Sequence, residues 1–87
     1  EDQEEVAKIM LKPEEITEIN LLNQFNLANS LEGLKIHRHE AAQEVVAAAE
    51  RLHARGLTTQ PDGGYLTSLG LDAAEHSQAL LTILRAD

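Results

Sequence analysis

The side chains best equipped to meet an anion are Lys35, Arg38, Arg51 and Arg55, with Gln43 near them and His37, His39 and His53 interspersed. On an exposed helix face, Arg51, Arg55 and Gln43 can reach phosphates or guanine edges. If residues 34–37 run as a strand, Lys35, His37 and His39 share one side and can touch a phosphate or an acidic partner. The His-x-His spacing also suits a metal, but it offers two local ligands and the chain holds no cysteine, so a surface or cap role is the expected one. Catalytic chemistry finds little support. Ser30, Ser68 and Ser77 sit in no nucleophile motif, and Glu14 and Glu15 lie together on a solvated helix end. Gly63 and Gly64 match no phosphate-cradling loop. The expectation is a non-enzyme with no catalytic residues, no metal and no cofactor.

Charge complicates any nucleic-acid role. The chain carries 15 acidic and 7 basic residues, a formal net charge of −8, and non-specific DNA affinity rests on Lys and Arg. The imbalance is uneven. Residues 1–18 hold seven acids against Lys8 and Lys12, whereas residues 33–64 set Lys35, Arg38, Arg51 and Arg55 against Glu40, Glu44, Glu50 and Asp62. An anion-facing surface belongs in that neutral stretch.

Those residues must be positioned by one small domain, since 87 residues support no more. With Phe25 and Tyr65 the only aromatics, the core must be aliphatic, which suits closely packed helices. The absence of cysteine points to an intracellular, cytoplasmic setting, and no apolar run approaches the ~20 residues of a membrane span. Residues 1–12 read as an acidic, flexible leader and 13–87 as the domain. Met10, the single methionine, suits a natural start; an ordered helical extension is the competing reading.

A first helix is expected from Pro13, where the missing N–H is harmless, with Glu14 and Glu15 against the positive end of the helix dipole. Ile16, Ile19, Leu22 and Phe25, with Leu21, form its apolar face, and Asn26, Asn29 and Ser30 mark its end. Leu34 and Ile36 alternate with Lys35 and His37, which fits a short strand or a turn. The second helix spans about Glu40 to Arg55, with Ala42, Val45, Val46, Ala49 and Leu52 as its buried stripe and Arg51 and Arg55 on the exposed side. Arg55-Gly56-Leu57 stops it. A hairpin follows, with arms Leu57 to Gln60 and Gly64 to Thr67 around Pro61-Asp62-Gly63-Gly64. Thr67 then caps a last helix from Ser68 to Leu84. The fold class is mainly α with a small β-hairpin (α+β).

Ala54-Arg55-Gly56-Leu57, then Asp62-Gly63-Gly64-Tyr65-Leu66-Thr67 and Gly70, follow one another as in the second half of bacterial winged-helix regulators, which this part of the chain resembles. The resemblance implies that the second helix stands where the recognition helix stands and that the hairpin is the wing. From Pro13 onward, the segments Glu18-Ile19-Asn20-Leu21-Leu22, Gly33-Leu34-Lys35-Ile36-His37, Arg51-Leu52-His53-Ala54-Arg55-Gly56-Leu57 and Ala79-Leu80-Leu81-Thr82-Ile83-Leu84 look like a small gammaproteobacterial family often labelled as DNA-binding proteins or regulators. One departure matters. A helix-turn-helix places two helices between the first strand and the wing, but residues 38–55 hold room for one good helix. The domain is therefore a truncated winged helix, its supporting helix reduced to a turn or replaced by residues 26–33.

Two functions follow from these residues. One is an accessory transcriptional regulator touching DNA weakly through Lys35, Arg38, Gln43, Arg51 and Arg55. The other is a protein-interaction module on the same scaffold with no DNA contact. Leu80, Leu81, Ile83 and Leu84 crowd into five positions of the last helix, more than one face can bury, which suggests an oligomer interface and a symmetric dimer.

Overall fold

The computed structural model describes residues 9–87; the first eight residues of the expected leader lie outside the described residues. The order is α1 (Pro13–Leu22), β1 (Leu34–Lys35), α2 (Gln43–Ala54), β2 (Thr58–Gln60), β3 (Gly63–Leu66) and α3 (Ser68–Leu84). Among the described residues the architecture is α+β and winged-helix-like: three helices pack beside a small antiparallel sheet of order β1-β3-β2.

Proline at the first position and Glu14 and Glu15 in the first turn start α1, and the Lys12 N–H donates to Glu15 Oε1 at 2.9 Å. The helix ends at Leu22, earlier than its asparagines suggest, because Asn26 and Asn29 build turns of their own: Asn26 Oδ1 accepts from the Ala28 N–H and Asn29 Oδ1 from the Leu31 N–H. Residues 26–33 therefore supply no supporting helix. β1 is a true strand, pairing Leu34 with Gly64 and Lys35 with Gly63, so the hairpin gains a third strand.

Only a turn stands between β1 and α2, closed by the Glu40 and Ala41 N–H groups on the His37 carbonyl. This turn replaces the supporting helix of a full helix-turn-helix. α2 starts at Gln43 rather than Glu40, since Ala42 takes an extended backbone as its cap. Its stop is the expected one. Gly56 adopts φ +82°, and the Leu57 N–H folds back onto the Leu52 carbonyl.

The core joins Leu21 and Leu22 of α1, Ala48, Ala49 and Leu52 of α2, and Ala74 of α3. Two expected faces are corrected by it. Ala48 is fully buried while Ala42 is exposed and Val45 only half-buried, because α2 turns its alanine-rich side inward. Leu21 and Leu22 of α1 and Phe25 just after it are buried as expected, but Ile16 is exposed and Ile19 half-buried, and Glu18 points inward in their place. α3 docks through small residues, Gly70 and Ala74. A Cβ on Gly70 would sit 1.9 Å from the Leu57 carbonyl oxygen, so the start of α3 lies directly against the chain entering β2. Thr67 secures this junction, its hydroxyl accepting from the Gly70 N–H at 3.0 Å and donating to the Gly56 carbonyl at 2.6 Å.

Candidate interaction surfaces

Each of the four candidate cations of the neutral stretch meets a carboxylate. Arg51 and Arg55 come four residues apart on the last turns of α2, so both side chains reach the same neighbour. That neighbour is Glu18 of α1, only 6 % exposed: Arg51 Nε donates to Glu18 Oε2, and Arg55 Nη1 donates to Glu18 Oε1 at 2.9 Å. Arg51 also reaches the Glu14 carbonyl. The α2 flank expected to face solvent thus forms an interhelical clamp. Arg51 is two-thirds covered and Arg55 remains 60 % exposed.

The other two pairs lie nearer the wing. Lys35 donates from Nζ to Asp62 Oδ2, linking β1 to the hairpin turn, and this bond together with the positive charge of Lys35 holds the Asp62 carboxyl below the ordinary aspartate value. Arg38 donates to Glu50 of α2 at 2.6 Å. An open hollow of about 550 Å³ lies between these residues and the wing turn, lined by Lys35, Arg38, His37 and His39 but also by Glu40 and Asp62. Gln43, at the start of α2, is exposed. Lys35 and Arg38 therefore share the hollow beside the wing turn, whereas Arg51 and Arg55 turn to α1, and all four cations are paired.

His37, His39 and His76 are exposed and His53 half-buried. His76 Nδ1 lies 2.7 Å from the Asp72 carbonyl of its own helix. Among the described residues, no three His, Asp or Glu side chains converge as metal ligands. None of the described helices is long and apolar enough to cross a membrane.

The second surface is apolar. Leu80, Ile83 and Leu84 are 57, 70 and 71 % exposed, while Leu81 is half-buried. Between the end of α3 and α1 runs a groove of about 430 Å³ lined by Leu11, Ile16, Ile19, Leu80, Leu81 and Leu84, with His76 and Arg85 also along it. Its floor is fixed by bonds the sequence did not announce. Ser77 Oγ donates to Asn23 Oδ1 at 2.6 Å, and the Gln78 amide donates to the carbonyls of Leu22 and Phe25 at 3.2 and 2.9 Å. These bonds satisfy the open end of α1 and pin the middle of α3 across it. The polar run Glu75-His76-Ser77-Gln78 in the middle of the helix was the available signal.

A family model matches residues 9–85, nearly the whole chain. The chain belongs to the family of unknown function DUF5669. No curated protein and no solved structure matches it. In this DUF5669 chain the match begins at Ile9, so it takes in Leu11 of the groove as well as α1 to α3.

Proposed function

We propose that this DUF5669 chain is a protein-interaction module on a winged-helix-like scaffold, with the α1–α3 face as its recognition surface. The observation that carries the reading is the contrast between the two surfaces. The cations placed for DNA are each engaged by a carboxylate of the same fold, while Leu80, Ile83 and Leu84 of α3 stand in solvent at or beside an apolar groove. Phosphate binding gains from Lys and Arg free to displace counterions; cations paired with carboxylates contribute less, and around Glu18 two arginines retain one net charge. An exposed apolar patch beside a recess is the mark of a protein-binding site. Catalysis forms no part of this reading.

A second reading, weak DNA contact by an accessory transcriptional regulator through Lys35, Arg38, Gln43, Arg51 and Arg55, draws support from the order α2, wing, α3 and from Lys35 and Arg38 lining one hollow beside the wing turn. Titration of labelled duplex DNA at low and near-physiological salt separates the two. The interaction module predicts no salt-sensitive binding by the wild type, and none gained when Glu18→Gln loosens the clamp on both arginines. Salt-sensitive binding that is lost in Lys35→Ala/Arg38→Ala supports the regulator and overturns the module. These surface substitutions are preferable to removing Arg51 and Arg55, whose loss strands a buried carboxylate.

A further inference from the structure

The groove between α1 and α3 can be assigned an occupant, an inference that rests on the interaction-module reading. We propose that it receives a second copy of this chain, the two α3 helices packing antiparallel about a twofold axis. An isologous interface needs a patch that is its own complement, with a projection and a recess side by side. This face has both. Leu80, Leu81 and Leu84 of α3 and Leu11, Ile16 and Ile19 from the chain before and within α1 line the recess. Ile83, which does not line it, projects beside it at 70 % exposure.

Area supports the same occupant. The exposed portions of Leu11, Ile16, Leu80, Ile83 and Leu84 amount to roughly 500 Å² of apolar surface, at the upper end of what a monomer shows in one patch. A standard stable interface covers about 800 Å² on each partner, some 60 % of it apolar, so this patch alone supplies the apolar area that a standard interface requires.

Charge selects the face as well. A chain of net charge −8 repels its copies over most of its surface. The groove lining contains no carboxylate among the described residues and does contain Arg85 and His76. From Ser77 to Arg85, α3 carries no acidic residue. Within this lining, two copies can therefore meet without bringing carboxylates together. Asp72 and Glu75 lie one to two turns before the leucines, toward the other end of the helix.

The test is molar mass by light scattering from micromolar to about 1 mM protein, with the helical signal followed by circular dichroism. The wild type is expected to approach twice the 9.5 kDa of one chain, and Leu80→Glu and Ile83→Glu to return it to one chain with helicity unchanged. Because the sequence has no cysteine, Ile83→Cys and Glu44→Cys give a readout independent of those substitutions. A short bifunctional thiol reagent should couple Ile83→Cys chains and leave Glu44→Cys chains, altered on α2, uncoupled. A wild type monomeric throughout overturns the inference and leaves the groove to a different protein, with the module reading intact. A dimer indifferent to both glutamate substitutions overturns it too, placing the contact elsewhere. Failure of the module reading shows separately, as salt-sensitive DNA binding.

Discussion

Glu18 on α1 and Arg51 on α2 are hydrogen-bonded across the helix interface, and Arg55 closes on the other oxygen of the same carboxylate. A residue pair placed where a winged helix would present cations to DNA is thereby part of the joint between the first two helices. Two positive charges around one buried negative charge satisfy the carboxylate and leave one net charge at the surface.

Removing both arginines is therefore a stability experiment before it is a binding experiment. Arg51→Ala/Arg55→Ala leaves Glu18 buried with no cation. The expected loss is about 2–3 kcal/mol, below the ~3–5 kcal/mol of a fully buried pair because the arginines are partly solvated. Glu18→Gln keeps an acceptor and should lose about 1 kcal/mol. Urea unfolding midpoints at constant slope measure both. Equal losses in the two variants would contradict the clamp.

Two glycines separate crowding from backbone strain. Gly70→Ala drives a methyl group into the Leu57 carbonyl, 1.9 Å from where its Cβ would lie, so the start of α3 must shift, at about 2–3 kcal/mol. Gly56→Ala meets nothing within 4 Å and bears only its φ of +82°, about 1–2 kcal/mol. In a domain of this size each kcal/mol lowers the melting temperature by about 4–8 °C, so Gly70→Ala should melt well below Gly56→Ala. The reverse order would show that α3 does not lie against Leu57.

Gln78→Ala removes both amide bonds to the end of α1, and an expected loss of about 1–2 kcal/mol follows. Faster amide exchange at residues 23–27 than elsewhere in the helices would locate the effect. Uniform exchange across the molecule would speak against a pin at this point.

Asp62 supplies the pH dependence. Its carboxyl is held below the ordinary value first by the hydrogen bond from Lys35. A depressed folded value means the contribution is complete above the unfolded value and is lost as pH falls through the folded one. The pair is solvated, so the stability change is small and the clearer readout is the residue itself. Carbon NMR titration should place the Asp62 midpoint below that of an unfolded peptide, and Lys35→Ala should raise it. An unmoved midpoint in that variant would remove the Lys35 tie.

How much of this was legible in the residues depended on range. The α3 boundaries, the Thr67 cap and the Arg55-Gly56-Leu57 stop could be read because each is set by chemistry within four residues. β1 stood open between strand and turn, since two residues become a strand only when Gly63 and Gly64 lie opposite them. The inward face of α1 was misread because periodicity favours Ile16 over Glu18, and nothing local says that two arginines 33 and 37 residues later will neutralise that carboxylate. Lys35, Arg38, Arg51 and Arg55 were visible as cations; their partners were not. The crowding of Leu80, Ile83 and Leu84 was legible because no single face of a helix in so small a domain can cover them all.

Residue-resolved NMR of the labelled protein titrated with a short DNA duplex at low salt tests the central claim most directly. The interaction-module account predicts amide signals of Lys35, Arg38, Gln43, Arg51 and Arg55 that stay in place as DNA is added. Salt-sensitive shifts that follow added DNA and cluster on α2 and the wing would contradict it.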